Sequence, residues 1–206
     1  MKFGLYAPIP MATVGSPETA RAVAEALRPL PPGARDAQFE LSEDVLLTAD
    51  AVGFSLVLFA ERHLGHDISA WVMASALGSR FRNIRSLVAV HPGMWDPVMI
   101  AKLAVSLDRV CPGRMAINIV NGWFDREFEM FGGTVLKGED RYARTTEFIT
   151  ILRGLWMNES FSFEGRFYNL KDGKLLLKPA SPTPPELFSV STSDRGRDFE
   201  IGRAHV

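Results

Sequence analysis

The sequence has few of the features that mark secreted, membrane or nucleic-acid-binding proteins. Its 206 residues include one cysteine, Cys111, so no disulfide forms within the chain and this thiol is predicted to be structural. No apolar run approaches the roughly 18 residues of a membrane span, and the first residues lack the pattern of a secretory signal. Lysine and arginine number 23 against 24 acidic residues, without a basic run, so neither nucleic acid nor a membrane is expected as partner. We therefore predict a cytoplasmic protein that acts on small molecules.

Common nucleotide-binding signatures are missing as well. No G-x-G-x-x-G motif follows an apolar run, and residues 133–138 (GTVLKG) fail as a phosphate-binding loop because no Lys-Ser/Thr pair comes next. The chain does contain 47% hydrophobic residues, which is enough for one domain with a sizeable core.

Short apolar runs recur ahead of helical patterns and predict parallel strands. The runs are continuous rather than alternating, which is typical of strands buried on both faces. Between the second, third and fourth runs the spacing is about thirty residues, the length of one βα unit. The five runs are residues 2–7, 54–59, 85–90, 115–120 and 187–190. Such units build either an open doubly wound sheet or a closed barrel, and the missing dinucleotide motif favours the barrel.

Three helices are predicted between these strands. Ser42 lies near the start of the first, and Gly53 is placed to end it in the left-handed conformation. Asp96 is placed to cap the second, with Pro97 at its first position. The third runs from about residue 140 to residue 156. Buried faces are predicted for Leu41, Val45, Ala49 and Val52 in the first helix, for Met99, Leu103, Leu107 and Val110 in the second, and for Phe148, Ile149, Leu152 and Leu155 in the third.

Three stretches interrupt the alternation of strands and helices. Residues 9–40 form a long excursion after the first strand, at the end of a barrel strand where active-site loops belong. Residues 121–139 and 158–182 have the character of insertions. The second of these is predicted to contain a hairpin, formed by residues 161–163 and 166–170 with its turn at Glu164 and Gly165.

Several segments, in order along the chain, resemble one enzyme family. They are residues 88–97 (VAVHPGMWDP), 100–108 (IAKLAVSLD), 113–123 (GRMAINIVNGW), 139–142 (EDRY), 148–149 (FI) with 152–156 (LRGLW), 161–168 (FSFEGRFY) and 191–194 (STSD). Together these segments resemble luciferase-like monooxygenases that use reduced FMN, and are most similar to the dimethylsulfone, alkanesulfonate and pyrimidine monooxygenases. The resemblance covers roughly residues 40–198 and implies a (β/α)8 TIM barrel.

The resemblance implies an FMN site at the carboxyl ends of the barrel strands. Asn118, at a strand end, is suited to the polar edge of a flavin ring, and His91 matches a position that lines the flavin. Arg141, Tyr142 and Ser193 match the side that holds the ribityl phosphate, where a cation, hydroxyls and helix N-termini are favourable. The positions that match flavin-site residues of the family are Glu61, Arg62, His91, Asn118, Glu127, Arg141, Tyr142 and Ser193.

His63 is the predicted catalytic residue. It lies in residues 61–67 (ERHLGHD), directly after the second strand, where it is placed as a polar group on the substrate or flavin side; a histidine of a surface loop is the alternative. His66 in the same segment invites a metal interpretation, but no third cluster of ligands is evident, so no metal site is predicted. Among the tryptophans, Trp123 is the one expected near the ligand.

The chain departs from the family pattern at two places. Gly138 stands where family members usually carry histidine, four residues before the tyrosine of this motif. The glycine-rich approach to the phosphate serine is replaced by Ser191 and Thr192. Both departures concern the affinity for FMN rather than the fold.

The resemblance predicts a two-component flavin-dependent monooxygenase. Because no nicotinamide signature is present, reduced FMN is expected from a separate flavin reductase, a transient partner, and O2 is the second substrate. Residues 121–124 (NGWF) resemble the form found in sulfone enzymes and favour a small organosulfur substrate over a nitrogen heterocycle. A homo-oligomer is expected at full length. Two alternatives stay open: a deazaflavin-dependent oxidoreductase, and a non-catalytic flavin-binding protein or inactive fragment.

Five strands are fewer than the eight of a complete barrel. Residues 1–199 are therefore predicted to be the N-terminal part of a single luciferase-like barrel domain, truncated after about five strands and inactive alone. Residues 200–206 (EIGRAHV) match the translation of a common DNA-sequencing adapter. They are expected to be a non-native tail, in which His205 has no role.

Overall fold

Five strands of the chain form one parallel sheet in the computed structural model, which describes residues 4–7, 37–63, 68–121 and 125–189. The sheet has the order β1-β2-β3-β4-β7, and every neighbouring pair is parallel. Strands β5 and β6 form a separate antiparallel hairpin. In chain order the strands are β1 (Gly4–Ala7), β2 (Leu56–Phe59), β3 (Arg85–Val90), β4 (Met115–Ile119), β5 (Phe161–Glu164), β6 (Asn169–Gly173) and β7 (Glu186–Ser189).

Helices alternate with the strands of the sheet. They are α1 (Ala37–Ala51), α2 (Ala70–Gly78), α3 (Pro97–Val110), α4 (Asp125–Met130) and α5 (Gly138–Met157). All five predicted strands are present within a few residues of their expected ends, and the order of elements is that of consecutive βα units. The short helix α4 lies in the segment that was expected to be an insertion. No helix in the described ranges is long and apolar enough to cross a membrane.

The two faces of the sheet have different surroundings. Side chains alternate along a strand, so Val88, Val90, Ile117 and Ile119 share one face, and all four belong to the main hydrophobic core. The opposite face carries Ala89 paired with Asn118, and Asn118 paired in turn with Phe188. Leu87, Ala89 and Ala116 on this second face are buried, although they lie outside the main core cluster. We call this second face the inner face.

Two helix boundaries match their predicted signals. The Asp96 carboxylate accepts hydrogen bonds from Val98 N at 2.8 Å and Met99 N at 3.1 Å, and Pro97 is the first residue of α3. Gly53, directly beyond α1, has a φ of 95°, the left-handed conformation expected of a glycine that ends a helix.

The predicted buried faces of α1 and α3 are wrong by about one residue of rotation. Leu41 and Val45 in α1, and Val52 just beyond it, are exposed, whereas Leu46 and Asp50 are buried, as is Ala49, which was predicted. The helix also begins at Ala37, so Ser42 lies inside it rather than near its start.

Helix α3 shows the same displacement. Met99 and Val110 are exposed, Ile100 and Ala104 are buried, and Leu107 is buried as predicted. Both helices carry apolar residues on adjacent stripes, and the sequence period alone does not select the stripe that meets the sheet. The third predicted helix matches better, since Phe148, Leu152 and Leu155 of α5 are buried.

The hairpin is held against α5 in two ways: Phe161 packs closely on Gly154, and the Glu147 carboxylate binds backbone amides of the hairpin turn. A Cβ added to Gly154 would lie 2.5 Å from the ring of Phe161, so only glycine allows this approach. The Glu147 carboxylate accepts hydrogen bonds from Arg166 N at 2.8 Å, Phe167 N at 2.9 Å and Tyr168 N at 3.1 Å. These amides belong to the turn, and so the second strand begins at Asn169 and not at the predicted residue 166.

Candidate functional site

Chemically reactive side chains gather where β2, β3 and β4 end. His63 follows β2, His91 directly follows β3, and Asn118 lies near the end of β4. The carboxyl ends of parallel strands meet at one edge of the sheet, which is where α/β proteins place their ligands. The structure thus brings together residues from three separate βα units that are far apart in sequence.

His63 and His91 form an edge-to-face pair. Their ring centroids are 5.6 Å apart, with an interplanar angle of 65°. Aromatic rings surround the pair: Trp95 lies 6.1 Å and Phe131 6.3 Å from His63, and Phe128 lies 6.3 Å from His91. The imidazoles are therefore held in a largely apolar setting.

Three polar atoms at this edge are buried without a hydrogen-bond partner among the described residues. They are Nε2 of His63, Nδ1 of His91 and Oδ1 of Asn118. His91 is 3% exposed and Asn118 is 4% exposed, so water does not freely reach either residue. Buried polar atoms in folded proteins nearly always have a partner. Three such atoms at one edge of a sheet are what a site for a polar ligand would present.

Burial makes both imidazoles weak bases. It lowers the pKa of His91 to about 4, with a smaller contribution in the same direction from His63. It also lowers the pKa of His63, against the opposing charge of Glu127. Near neutral pH both rings are uncharged, so each ring carries one donor and one acceptor nitrogen.

Two buried carboxylates hold the segment that carries His63. Glu61 Oε2 accepts hydrogen bonds from Ser69 Oγ and Ala70 N, each at 3.0 Å, which places its charge at the start of α2. Glu127 Oε1 accepts from His63 N at 2.6 Å. Both residues support the protein backbone here, and their expected contact with a flavin stays a prediction. Arg62 lies between Glu61 and His63 and is half-buried.

The start of α5 adjoins the end of β4. Thr145 Oγ1 donates to Asn121 Oδ1, which connects the helix to the residue two positions beyond β4. Arg141 lies over the ring of Tyr142, 5.4 Å from its centroid, and its Nε is buried without a partner in the described part of the chain. Arg141 and Tyr142 thus lie against each other in the first turns of α5, and their expected role on a phosphate-binding side stays a prediction.

Some predicted residues cannot be placed, and others were not foreseen. Ser193, His66 and Trp123 lie outside the described residues, as does the excursion over residues 9–36. Among the residues that are described, no group of three His, Cys, Asp or Glu side chains is arranged to hold a metal ion. The sequence did not indicate Trp95 or Phe128 as ring neighbours of the histidines, nor Arg144, which lies over Phe128.

Comparison with known proteins identifies relatives over most of the chain. Residues 31–206 match the family described as luciferase-like monooxygenase. The FMNH2-dependent dimethylsulfone monooxygenase of Pseudomonas putida is 37% identical over 127 residues, which are 62% of this chain and 35% of that protein. The enzyme of the same name from Pseudomonas fluorescens (strain Pf0-1) is 35% identical over 158 residues, which are 73% of this chain and 42% of that protein.

A solved structure shows the same arrangement of elements. The crystal structure of a monooxygenase from Streptomyces bottropensis matches with a TM-score of 0.70 and 22% identity, covering 93% of this chain and 54% of that chain. At this level of identity the likeness establishes a shared fold. The present chain thus spans about half or less of the length of these three relatives.

Proposed function

Since the chain belongs to the luciferase-like monooxygenase family, we propose that the whole protein is a monooxygenase that uses reduced FMN and O2. Family membership confirms the predicted fold class, a (β/α)8 barrel of the luciferase-like type of which this chain forms part. The curated relatives are FMNH2-dependent monooxygenases, and the chain spans 35% and 42% of their length. Activity, substrate and partners of the whole protein are therefore inferred by similarity.

The residues at the carboxyl edge fit a flavin. One edge of the ring carries carbonyl and N–H groups, and the unpartnered Oδ1 of Asn118 and Nδ1 of His91 supply complementary polar atoms on neighbouring strands. Arg141 and Tyr142 at the start of α5 would hold the phosphate, together with the predicted Ser193. The observation that carries the proposal is the group of three buried polar atoms without partners, because burying them without a ligand would be costly.

The cofactor supplies the oxidative chemistry: two electrons of reduced FMN activate O2, one oxygen atom enters the substrate, and the other leaves as water. The residues of this chain bind, orient and exclude water. Asn118 and His91 would fix the polar edge of the ring. Because burial holds the pKa of His91 at about 4, this side chain stays neutral and accepts or donates a hydrogen bond without adding charge. His63 would face the substrate side of the same pocket.

A small organosulfur compound is the proposed substrate, and a separate flavin reductase is the proposed partner. The two relatives are named for dimethylsulfone, and residues 121–124 (NGWF) follow the strand that carries Asn118. The rings of Trp95, Phe128 and Phe131 around the histidine pair favour a compact substrate with apolar groups.

Replacing Asn118 tests the proposed flavin site. Asn118→Ala removes a buried amide that has no described partner at Oδ1, so the fold should tolerate it while the dissociation constant for FMN rises about ten-fold. The measurement is a flavin-fluorescence titration, with Thr150→Ala on the exposed surface of α5 as the matched control. Equal affinity of both variants and the wild type would contradict the placement of Asn118 at the flavin.

The reaction is tested on the full-length protein. Oxygen consumption with reduced FMN should depend on dimethylsulfone or a related organosulfur compound, and the product should contain one added oxygen atom. The deazaflavin alternative is tested by measuring the melting temperature with each reduced cofactor. A larger increase with the deazaflavin than with FMN would favour a deazaflavin-dependent oxidoreductase. Binding of FMN with no substrate-dependent oxygen uptake would favour a flavin-binding protein without catalysis.

A further inference from the structure

Arg144 is a buried cation on α5 for which neither family resemblance nor sequence pattern assigned a role. The residue is 7% exposed. Within the described residues no carboxylate lies within salt-bridge distance of it, and its Nε has no hydrogen-bond partner. A buried charge without a counter-ion is costly, so the surroundings of this side chain must offer something else.

The guanidinium group of Arg144 meets three separate segments. Against the first, a Cβ added to Gly93 would lie 2.2 Å from the guanidinium carbon, so the plane rests directly on the backbone of the loop after β3. Gly93 has a φ of 96°, which only glycine adopts readily. In the second segment, Nη1 donates a hydrogen bond to Thr134 O at 2.9 Å. In the third, the guanidinium carbon lies 5.9 Å from the ring centroid of Phe128 in α4.

Two of these segments, the loop of Gly93 and helix α4, lead to the histidine pair in one further step. The loop of Gly93 begins at His91, and the Phe128 ring lies 6.3 Å from the His91 ring. Glu127, the neighbour of Phe128, accepts the hydrogen bond from His63 N at 2.6 Å. Arg144 itself touches neither imidazole, yet it contacts the elements that hold both.

We infer that Arg144 is a positioning residue: its guanidinium group joins residues 91–96, helix α4 and residues 133–137, and thereby fixes the His63–His91 pair. A planar cation suits this role because one face can lie on a peptide backbone or an aromatic ring while the edge donates hydrogen bonds. Lysine, a point charge on a flexible stem, cannot make the flat contact. The relevance of this arrangement to oxygenation rests on the proposed function, but the arrangement itself does not.

Titration of the histidines tests the inference without any cofactor. The chain has four histidines, so their imidazole C–H signals can be resolved by NMR and assigned with His63→Gln and His91→Gln. Arg144→Met keeps the length of the side chain and removes the charged plane. We expect water to reach the loosened loop and the pKa of His91 to rise from about 4 by at least ~1 unit. Arg126→Met, which removes an exposed arginine from α4, should leave the titration unchanged.

Arg144→Lys separates positioning from charge and from stability. It retains the cation and should still shift the His91 titration upward, though less than Arg144→Met. If Arg144→Met does not fold, the lysine variant decides alone. The inference would be overturned by a variant that folds and has a lowered melting temperature, but in which His63 and His91 titrate as in the wild type. Arg144 would then only stabilise the fold. Failure of all variants and of the wild type to bind FMN would count against the proposed function and leave the titration result standing.

Discussion

At the scale of single residues, the candidate site depends on what burial does to polar groups. His91, His63 and Asn118 each have a polar atom that finds no partner in the described structure. Burial also keeps the two imidazoles neutral near physiological pH, since it lowers the pKa of both. These three residues thus present hydrogen-bonding atoms of defined direction rather than net charge.

The buried state of His91 predicts a loss of stability in mild acid. The folded pKa of about 4 lies below the ordinary value of 6.5, so the unfolded state takes up the proton first as the pH falls. The free energy of unfolding should therefore be unaffected by His91 above pH 6.5 and should decrease between pH 6.5 and pH 4, by at most about 3 kcal/mol. Urea unfolding at pH 7.5 and 5.0 measures this change. His91→Gln should reduce the difference between the two pH values, and an unchanged difference would contradict the assignment.

Gly138 predicts a cost for introducing the histidine that the family resemblance led us to expect at this position. Its φ is 58° at the first position of α5, a left-handed conformation that strains residues with a Cβ, although a Cβ would meet nothing within 4 Å. Gly138→His should lower the free energy of unfolding by about 1 kcal/mol. Asparagine tolerates this conformation, so Gly138→Asn should cost less. Thermal melts of the two variants provide the comparison, and equal melting temperatures for both and the wild type would show that the strain is relieved.

The sequence located some site residues and not others for physical reasons. His91 and Asn118 stand at the ends of continuous apolar runs, where a polar side chain is conspicuous. Arg144 stands in the middle of a helix among polar residues, and an arginine there has the pattern of a solvated face. Its burial depends on Gly93 and Phe128, which are distant in sequence, and no local signal predicts that contact.

At the scale of elements, carboxylates that are buried or half-buried hold the junctions between helices and strands. Asp50 accepts from Arg82 N, Asn83 N and Ile84 N on the approach to β3. Asp108 accepts from Gly113 N ahead of β4 and from Ala180 N and Ser181 N ahead of β7. The Glu147 carboxylate likewise accepts hydrogen bonds from the backbone amides of the hairpin turn. In each case backbone donors that would otherwise be left without partners bind one anionic group.

Removal of the Asp50 carboxylate should destabilise the protein more than removal of its exposed neighbour. The three hydrogen bonds from backbone amides to the Asp50 carboxylate have N–O distances of 2.7, 2.8 and 2.8 Å. Burial opposes ionisation, but these amides and Arg114 outweigh it and lower the pKa of Asp50. Asp50→Ala should cost about 3 kcal/mol, whereas Asp44→Ala on the exposed side of α1 should change the free energy of unfolding by less than about 0.5 kcal/mol. Chemical denaturation measures both, and similar midpoints would show that water replaces the carboxylate.

The strands were easier to predict from the sequence than the buried faces of the helices. A strand buried on both faces is continuously apolar, so its position follows from local composition, as in β3 and β4. A helix in contact with the sheet has one buried stripe, and α1 offers two adjacent choices. Leu46 and Ala49 face the core while Leu41 and Val45 do not, and the choice follows from the packing of the whole layer.

At the scale of the whole molecule, the sheet is best protected at its centre. Strands β3 and β4 each pair on both sides and are buried almost throughout, whereas β5 and β6 pair only with each other in the described structure and alternate with exposed positions. Amide hydrogens of β3 and β4 should exchange at least about 100-fold more slowly than those of the hairpin. Hydrogen exchange with mass spectrometry resolves these segments, and equal rates would indicate that the molecule opens as a single unit.

Glu61 links the end of β2 to the start of α2, and this link has an evolutionary consequence. The Glu61 carboxylate accepts hydrogen bonds from Ser69 Oγ and Ala70 N, so one side chain ties the chain just after β2 to the start of α2. Because this tie holds the two elements together, the sequence between His63 and Ser69 can vary between homologues while the register of β2 with β3 is preserved. The same link makes the stretch between His63 and Ser69 a natural place to graft the corresponding stretch of a relative.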